Sequence, residues 1–135
     1  MALSGCLGRE SCAYDSFERD RAHLEAVVQA VFRCKIGGEV SARETKSTDA
    51  CRRSIAGHLA AADVKFMLVG GEPSPDRFYA INFVLVNFGR LERVVYASES
   101  HRQNMQTFNT QRPGDRRTFL AGEDGPWYYQ CLPHR

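Results

Sequence analysis

The sequence predicts an α+β protein in which two N-terminal helices pack on a curved antiparallel sheet of four to five strands, forming a cone-like, two-layer sandwich. Three observations predict this fold. Apolar residues recur at helical spacing in the first half, β-branched and aromatic runs dominate the second half, and turn-forming residues separate those runs. The 135 residues have room for one domain. We place it at 15–135, after a flexible leader at 1–14.

The first helix is predicted from an apolar stripe at helical spacing. We expect Asp15 to cap its N-terminus together with Glu18, in the manner of a capping box. We expect it to end at the glycine pair 37–38, because glycine readily adopts the left-handed conformation that follows many helices. The stripe comprises Phe17, Leu24, Val27, Val28, Val31 and Phe32.

A second helix is predicted after Ser47 or Thr48, either of which can accept a hydrogen bond from the free amides of its first turn. Its apolar face comprises Cys51, Ile55, Leu59 and Ala62. The polar stretch 39–46 between the helices fits a short edge strand or an extended connector, and the sequence leaves both open.

The centre of the fold is predicted at 77–97, where two β-branched and aromatic runs surround a turn at 88–90. The first run is apolar on both alternating faces, which predicts a strand covered on both sides. Asn82 interrupts this run, so its amide must be hydrogen-bonded or line a polar pocket. The second run contains Glu92 and Arg93 and is expected to be half exposed.

Further strands are predicted at 64–69, 117–121 and 126–132, and we expect the later strands to follow one another as an antiparallel meander. Alternation in the last strand places Trp127, Tyr129 and Cys131 on one face. This element order resembles the outline of nuclear transport factor 2-like and cystatin-like folds. Because such folds serve enzymes, binding modules and secretion subunits alike, the resemblance implies no function.

Composition limits the partner and the location. The 18 basic and 16 acidic residues nearly balance, so nucleic acid is a possible partner that net charge does not indicate. No apolar run approaches the roughly 20 residues that span a bilayer, which predicts no membrane insertion. The five cysteines are odd in number and lack Cys-x-x-Cys spacing. We interpret them as reduced thiols of a cytoplasmic protein, with Cys34 and Cys51 as small buried hydrophobes.

The leading functional hypothesis is a small soluble interaction protein that binds another protein, of the immunity or inhibitor, chaperone or adaptor type. It depends on the lack of catalytic and cofactor motifs and on arginines and aromatic residues suited to an interface. No cofactor and no metal are predicted, and the oligomeric state is open. Tyr128 and Gln130, with Arg116 and Arg117 nearby, form an amphipathic patch, or else Trp127, Tyr128 and Tyr129 are all consumed by the fold. The predicted binding residues are Asn82, Arg102, Arg116, Arg117 and Tyr128.

The alternative hypothesis is a small metal-independent nuclease or another cavity enzyme that uses His101 with Arg116. RNA cleavage without a metal needs a base, an acid and cations that stabilise the phosphorane, and these residue types meet that need. The other histidines suggest no site. His23 is expected at the surface, and His58 at the edge of the core with a backbone carbonyl as its partner.

Overall fold

The computed structural model describes residues 13–71, 79–86, 90–98, 116–122 and 125–133. In these residues, two N-terminal helices pack on an antiparallel sheet, which confirms the α+β prediction, although the sheet has six strands and not four to five. The elements are α1 (Phe17–Cys34), β1 (Gly38–Ser41), a 3-10 turn (Glu44–Lys46), α2 (Ala50–Ala61), β2 (Phe66–Gly70), β3 (Ala80–Val86), β4 (Arg90–Ala97), β5 (Arg116–Phe119) and β6 (Trp127–Pro133).

The strand order is β1-β2-β3-β4-β6-β5, and all neighbouring strands are antiparallel. The predicted hairpin is confirmed, with β3 and β4 at the centre of the sheet. The meander is wrong at its end, because β6 lies between β4 and β5. The physical reason is that the aromatic residues of β6 are buried, which requires a strand on each side. The four-residue strand β5 begins with Arg116 and Arg117 and suits the edge of the sheet.

Helix α1 buries the predicted stripe, with Leu24, Val27 and Val31 fully inaccessible to solvent. Its two ends differ from the prediction. Ser16, not Asp15, occupies the N-cap position, and its side chain makes no capping hydrogen bond. The helix ends at Cys34, and Lys35 takes the left-handed conformation expected of a glycine, with φ at 54°. This early turn lets Ile36 pack against the core.

Helix α2 is capped by Asp49 and not by Ser47 or Thr48. The Asp49 carboxylate accepts hydrogen bonds from the backbone N–H groups of Cys51 at 2.9 Å and Arg52 at 3.1 Å. Ser47 supports this cap from outside the helix, because its hydroxyl accepts from the Asp49 N–H. The stretch before α2 contains both a short edge strand, β1, and the 3-10 turn.

The core fills the space between the helices and the sheet face toward them, which we call the inner face. Trp127 lies at its centre, with ring centroids 5.5 Å from Phe17 of α1, 5.9 Å from Phe83 of β3 and 5.0 Å from Tyr96 of β4. The predicted inward face of β6 is therefore confirmed. The other sheet face, here called the outer face, has its own smaller buried cluster of Ala80, Val95, Ala97 and Tyr128.

Strand β3 is buried on both faces, as predicted, by Ile81 and Phe83 inside and by Ala80 and Val84 outside. Strand β4 was expected to be half exposed, and that is wrong. Glu92 is only 6% exposed, because hydrogen bonds within the protein replace its contact with water.

The reduced-thiol prediction is wrong for Cys34 and Cys51, which form a disulfide with an S–S distance of 2.00 Å. The bond joins the C-terminal end of α1 to the first turn of α2. Cys131 is disulfide-bonded as well. The oxidised cysteines remove the observation on which the cytoplasmic expectation depended. Neither described helix combines the length and the apolar composition needed to cross a bilayer.

We predict that the Cys34→Ser/Cys51→Ser variant loses roughly 3 kcal/mol of unfolding free energy, because the bond closes a loop between residues 17 positions apart and restricts the unfolded chain. Urea denaturation of the oxidised proteins measures the loss. The Cys34→Ala/Cys51→Ala variant is the control, and an equal loss there excludes an effect of the serine hydroxyls. A loss under about 1 kcal/mol would contradict the prediction.

Candidate functional site

One row of side chains crosses the outer sheet face on five neighbouring strands. The backbone register sets Leu68 opposite Asn82, Asn82 opposite Val95, Val95 opposite Tyr128, and Tyr128 opposite Phe119. Residues directly opposite each other in a sheet project from the same face. We call these five residues the outer row. Beyond Leu68, the register continues to β1, where Glu39 lies opposite Leu68.

The two ends of the outer row are exposed and its middle is buried. Leu68 is 42% exposed and Phe119 is 39% exposed, and they are the exposed large hydrophobic residues of the described chain. Val95 and Tyr128 between them are buried. Four strand-to-strand steps of about 4.8 Å place the two ends roughly 19 Å apart.

Asn82 is the polar member of the outer row. Its side chain is half buried, and its Nδ2 donates a hydrogen bond to the Leu68 carbonyl oxygen at 3.3 Å. The hydrogen bond expected for an amide in this apolar strand is therefore confirmed. The bond joins β3 to β2 beside the exposed Leu68 side chain, so Asn82 helps to fix that end of the row.

Trp127, Tyr128 and Tyr129 are all buried, which is one of the two possibilities that the sequence left open. Gln130, which the other possibility placed in a surface patch, is also buried. The Gln130 Oε1 accepts two hydrogen bonds from the Arg93 guanidinium, at 2.8 and 2.6 Å. These contacts tie β4 to β6 on the outer face, while a binding role for Tyr128 stays a prediction.

Two of the remaining predicted site residues lie on β5, next to β6. The register sets Arg116 opposite Cys131 and Arg117 opposite Gln130, two residues from Tyr128. His101 and Arg102 lie outside the described residues. The convergence of His101 with Arg116, on which the nuclease hypothesis depends, therefore stays a prediction.

A buried polar network lies on the inner face, where the sequence suggested none. The Glu92 carboxylate accepts a hydrogen bond from the Tyr129 hydroxyl at 2.5 Å and forms an ion pair with Arg90. Glu92 lies opposite a shift in the strand register between Val84 and Val86. A glutamate followed by an arginine in a strand is typical of an exposed face, and this pattern concealed the burial of Glu92.

A second carboxylate continues the network on the helix side. Asp20 of α1 is 1% exposed and accepts from the Tyr14 hydroxyl at 2.9 Å and from the Arg19 Nε at 2.8 Å. The Tyr14 ring stacks on the Tyr129 ring, with centroids 5.8 Å apart and planes inclined by 17°. Two carboxylate–tyrosine pairs are thus joined into one unit, here called the tyrosine–carboxylate network.

The hydroxyl and carboxylate groups of this network are paired with one another inside the protein. Burial, followed by the hydrogen bond to Asp20, raises the pKa of the Tyr14 hydroxyl, and burial with the hydrogen bond to Glu92 does the same for the pKa of Tyr129. Like any tyrosine hydroxyl, both are protonated donors at neutral pH, and the raised pKa extends that state to more alkaline pH. Each carboxylate also has an arginine partner on its own element. The stack of Tyr14 on Tyr129 and the hydrogen bond from Tyr129 to Glu92 join the start of α1 to β6 and β4.

A pair of histidine side chains links the two helices. The Nδ1 atoms of His23 in α1 and His58 in α2 are 3.0 Å apart, and both side chains are partly exposed. His58 was expected to bond a backbone carbonyl, and that partner is wrong. Burial, followed by the nearby His23, lowers the pKa of His58. Their separation of 35 positions in the chain left no local signal of this contact.

Within the described part of the chain, no group of three or more His, Cys, Asp or Glu side chains is arranged to hold a metal ion.

No protein-family model, no curated protein and no solved structure matches this chain. Three features of the described residues bear on function: the outer row, the tyrosine–carboxylate network and the histidine pair. The network is buried and paired, so a partner or ligand can reach the exposed ends of the outer row and the histidine pair.

We predict that Glu92→Ala lowers the unfolding free energy by about 3 kcal/mol or more, because it leaves Arg90 and the Tyr129 hydroxyl without their acceptor in a buried setting. Tyr129→Phe removes one hydrogen bond to a charged group and is expected to cost about 1.5–3 kcal/mol. Urea denaturation compares both with Glu25→Ala, which breaks an exposed ion pair with Arg21 and is expected to cost under about 0.5 kcal/mol. Equal losses for Glu92→Ala and Glu25→Ala would contradict a buried role.

The raised pKa of Tyr129 predicts alkaline destabilisation. A group whose pKa is higher in the folded state stabilises the fold fully below its unfolded pKa, which is about 10 for tyrosine, and loses that contribution as pH rises toward the folded pKa. Urea midpoints measured at increasing pH above about 10 should therefore fall. Tyr129→Phe, which has no hydroxyl to ionise, should show a smaller fall. Parallel pH profiles for the two proteins would count against the assignment.

Proposed function

We propose that the protein binds another protein through the outer sheet face, with Leu68 and Phe119 as the two contact points. The observation that carries the proposal is their position. Both exposed large hydrophobic residues of the described chain lie on one face, at the two ends of one row. Single exposed apolar residues are common on protein surfaces, whereas two held at a fixed spacing on one rigid face provide a defined contact geometry.

The strands that contain the two contact points form part of a rigid sheet. Val95 and Tyr128 are buried between the two contact points, and the Arg93–Gln130 hydrogen bonds cross-link the strands that hold them. Leu68 and Phe119 therefore need little reorganisation to meet a partner, and low reorganisation favours affinity. A preformed face of this kind supports an inhibitor-type or adaptor-type binding protein more than a chaperone.

The proposal includes an oxidising compartment as the place of action. The disulfide between Cys34 and Cys51 and the oxidised state of Cys131 support it, because structural disulfides persist mainly in extracellular, secretory or periplasmic environments. Partner searches should therefore use the oxidised protein and proteins that share such a compartment.

A partner is first captured with the oxidised protein. The test is then the affinity of that partner for the Leu68→Glu/Phe119→Glu variant. Two charges at the contact points should weaken binding about 10-fold or more, which corresponds to about 1.4 kcal/mol. The matched control, Ser54→Glu/Thr118→Glu, adds the same charge at exposed positions, one on α2 and one on β5 directly before Phe119. It should change the dissociation constant less than about 2-fold.

Equal affinities for the contact-point variant and the control would overturn the proposal. RNA cleavage by the purified protein, abolished by His101→Ala while the fold is retained, would favour the nuclease hypothesis instead. Far-UV circular dichroism of each variant ensures that an altered affinity is not caused by unfolding.

A further inference from the structure

We propose that His23 and His58 form a pH-dependent switch between α1 and α2, which holds the two helices together at neutral pH and loosens their contact in acid. The switch depends on the single proton between the two Nδ1 atoms, which are 3.0 Å apart. The pair lies in the helix layer, whereas the outer row lies on the far face of the sheet. The proposal is therefore independent of the proposed partner binding.

The geometry of the pair admits one proton between the rings and excludes a second. At 3.0 Å the two Nδ1 atoms are hydrogen-bonded, so one must be an N–H donor and the other an unprotonated acceptor. The ring centroids are 5.3 Å apart, so the rings are in direct contact. A fully protonated histidine has an N–H donor at each nitrogen. Two such rings at this spacing would set one N–H against another with no acceptor.

The two protons that acid adds have opposite effects on this contact. The first can bind the free Nε2 of the donor ring, which keeps the hydrogen bond and makes its donor a cation. The second must bind the Nδ1 of the acceptor ring, which breaks the hydrogen bond and brings two positive charges together. The folded protein therefore takes up the second proton at a lower pH than the unfolded chain does.

The charged groups nearest the pair on the helices are Arg19 and Asp20, one turn before His23 on α1. They form an ion pair with each other at 2.8 Å. On α2, the positions three and four residues from His58 hold no ionisable side chain. Burial, followed by the charge of His23, lowers the pKa of His58. The charge that opposes the second proton is therefore that of the partner ring.

The elements packed against α2 contribute charged groups that are engaged elsewhere or are cationic. In the connection from α2 to β2, Asp63 acts on the arginine of that ion pair, and Lys65 would oppose a further positive charge. In the 3-10 turn, Glu44 is paired with an arginine of α2. Glu39 of β1 projects to the outer face, in line with the outer row. Among the described residues, these elements thus provide no carboxylate that pairs with either imidazole.

The disulfide limits how far the helices separate. It joins Cys34 of α1 to Cys51 of α2, and both histidines lie roughly 10 Å or more from it along their helices, at about 1.5 Å per residue. Double protonation therefore loosens the C-terminal part of α2, around His58, while the start of α2 stays attached to α1. Opening of this kind is local and leaves the sheet in place.

The experiment is urea denaturation of the oxidised full chain between pH 7 and pH 5. The contribution of the pair to stability is fully present above the unfolded histidine pKa of about 6.5 and is lost as the pH falls toward the lowered folded pKa. Below about pH 6.5 the unfolded chain holds one more proton than the folded pair, so the unfolding equilibrium constant should rise by up to about 10-fold per pH unit. Carboxylates titrate mainly below this range.

The single variants His23→Gln and His58→Gln should show a rise that is smaller by a few-fold or more at pH 5. The glutamine amide can donate to the remaining Nδ1 or accept from it, so the contact survives either protonation state. His101→Gln/His134→Gln is the matched control, because it removes the other two histidines of the chain and should keep the full rise. Equal pH profiles for the unsubstituted protein and both single variants would overturn the proposal, as would loss of the rise in the control.

A second readout keeps the proposal testable if a single variant folds poorly. The His101→Gln/His134→Gln protein contains His23 and His58 as its two histidines, so its imidazole proton signals can be followed by NMR as the pH is lowered. We expect two separate steps, with the last proton taken up at least about one pH unit below 6.5. Simultaneous protonation of both rings near pH 6.5, as in an unfolded chain, would overturn the proposal.

Discussion

The burial of Trp127 between α1 and the sheet is the interaction on which the rest of this structure depends. The indole contacts Phe17 of α1, Phe83 of β3 and Tyr96 of β4, so one side chain joins three other elements. A residue of this size is stabilised by removing its apolar surface from water, and that requires covered neighbours on every side. Strand β6 must therefore enter the sheet beside β4, where α1 lies above it. Strand β5 is left at the edge, although it precedes β6 in the chain.

The position of β6 also determines where the polar groups go. Because side chains alternate along a strand, placing Trp127 inside places Tyr129 inside as well. Its hydroxyl needs an acceptor in the dry interior, and Glu92 on the neighbouring strand provides one. The charge of Glu92 is in turn balanced by Arg90, and one face of the Tyr129 ring is covered by the Tyr14 ring. Among the described residues, the carboxylates and tyrosine hydroxyls of this inner-face network are therefore buried and paired within the protein.

Local periodicity allowed the sequence to predict the apolar stripe of α1, the central hairpin and the inward face of β6, since each is determined by residues close together in the chain. The features that were missed depend on distant residues. The disulfide between Cys34 and Cys51 and the pairing of His23 with His58 follow from how two helices pack, and neither helix alone contains that information. Glu92 looked exposed for the same reason, because its partner Tyr129 comes 37 residues later. Of the outer row, the sequence proposed Asn82 and Tyr128 as binding residues, which stays a prediction, and it did not propose the exposed ends.

Leu68 and Phe119 escaped notice because an exposed hydrophobic residue in a strand has the same local pattern as a buried one. Only the register distinguishes them, and the register is a property of the assembled sheet. The same sheet explains why a change at the outer row should be separable from a change in stability. Leu68 and Phe119 are exposed, and Val95 and Tyr128 between them are buried. A charge placed on either end remains in water, whereas a charge placed at Val95 or Tyr128 would enter the second buried cluster and disrupt the sheet itself.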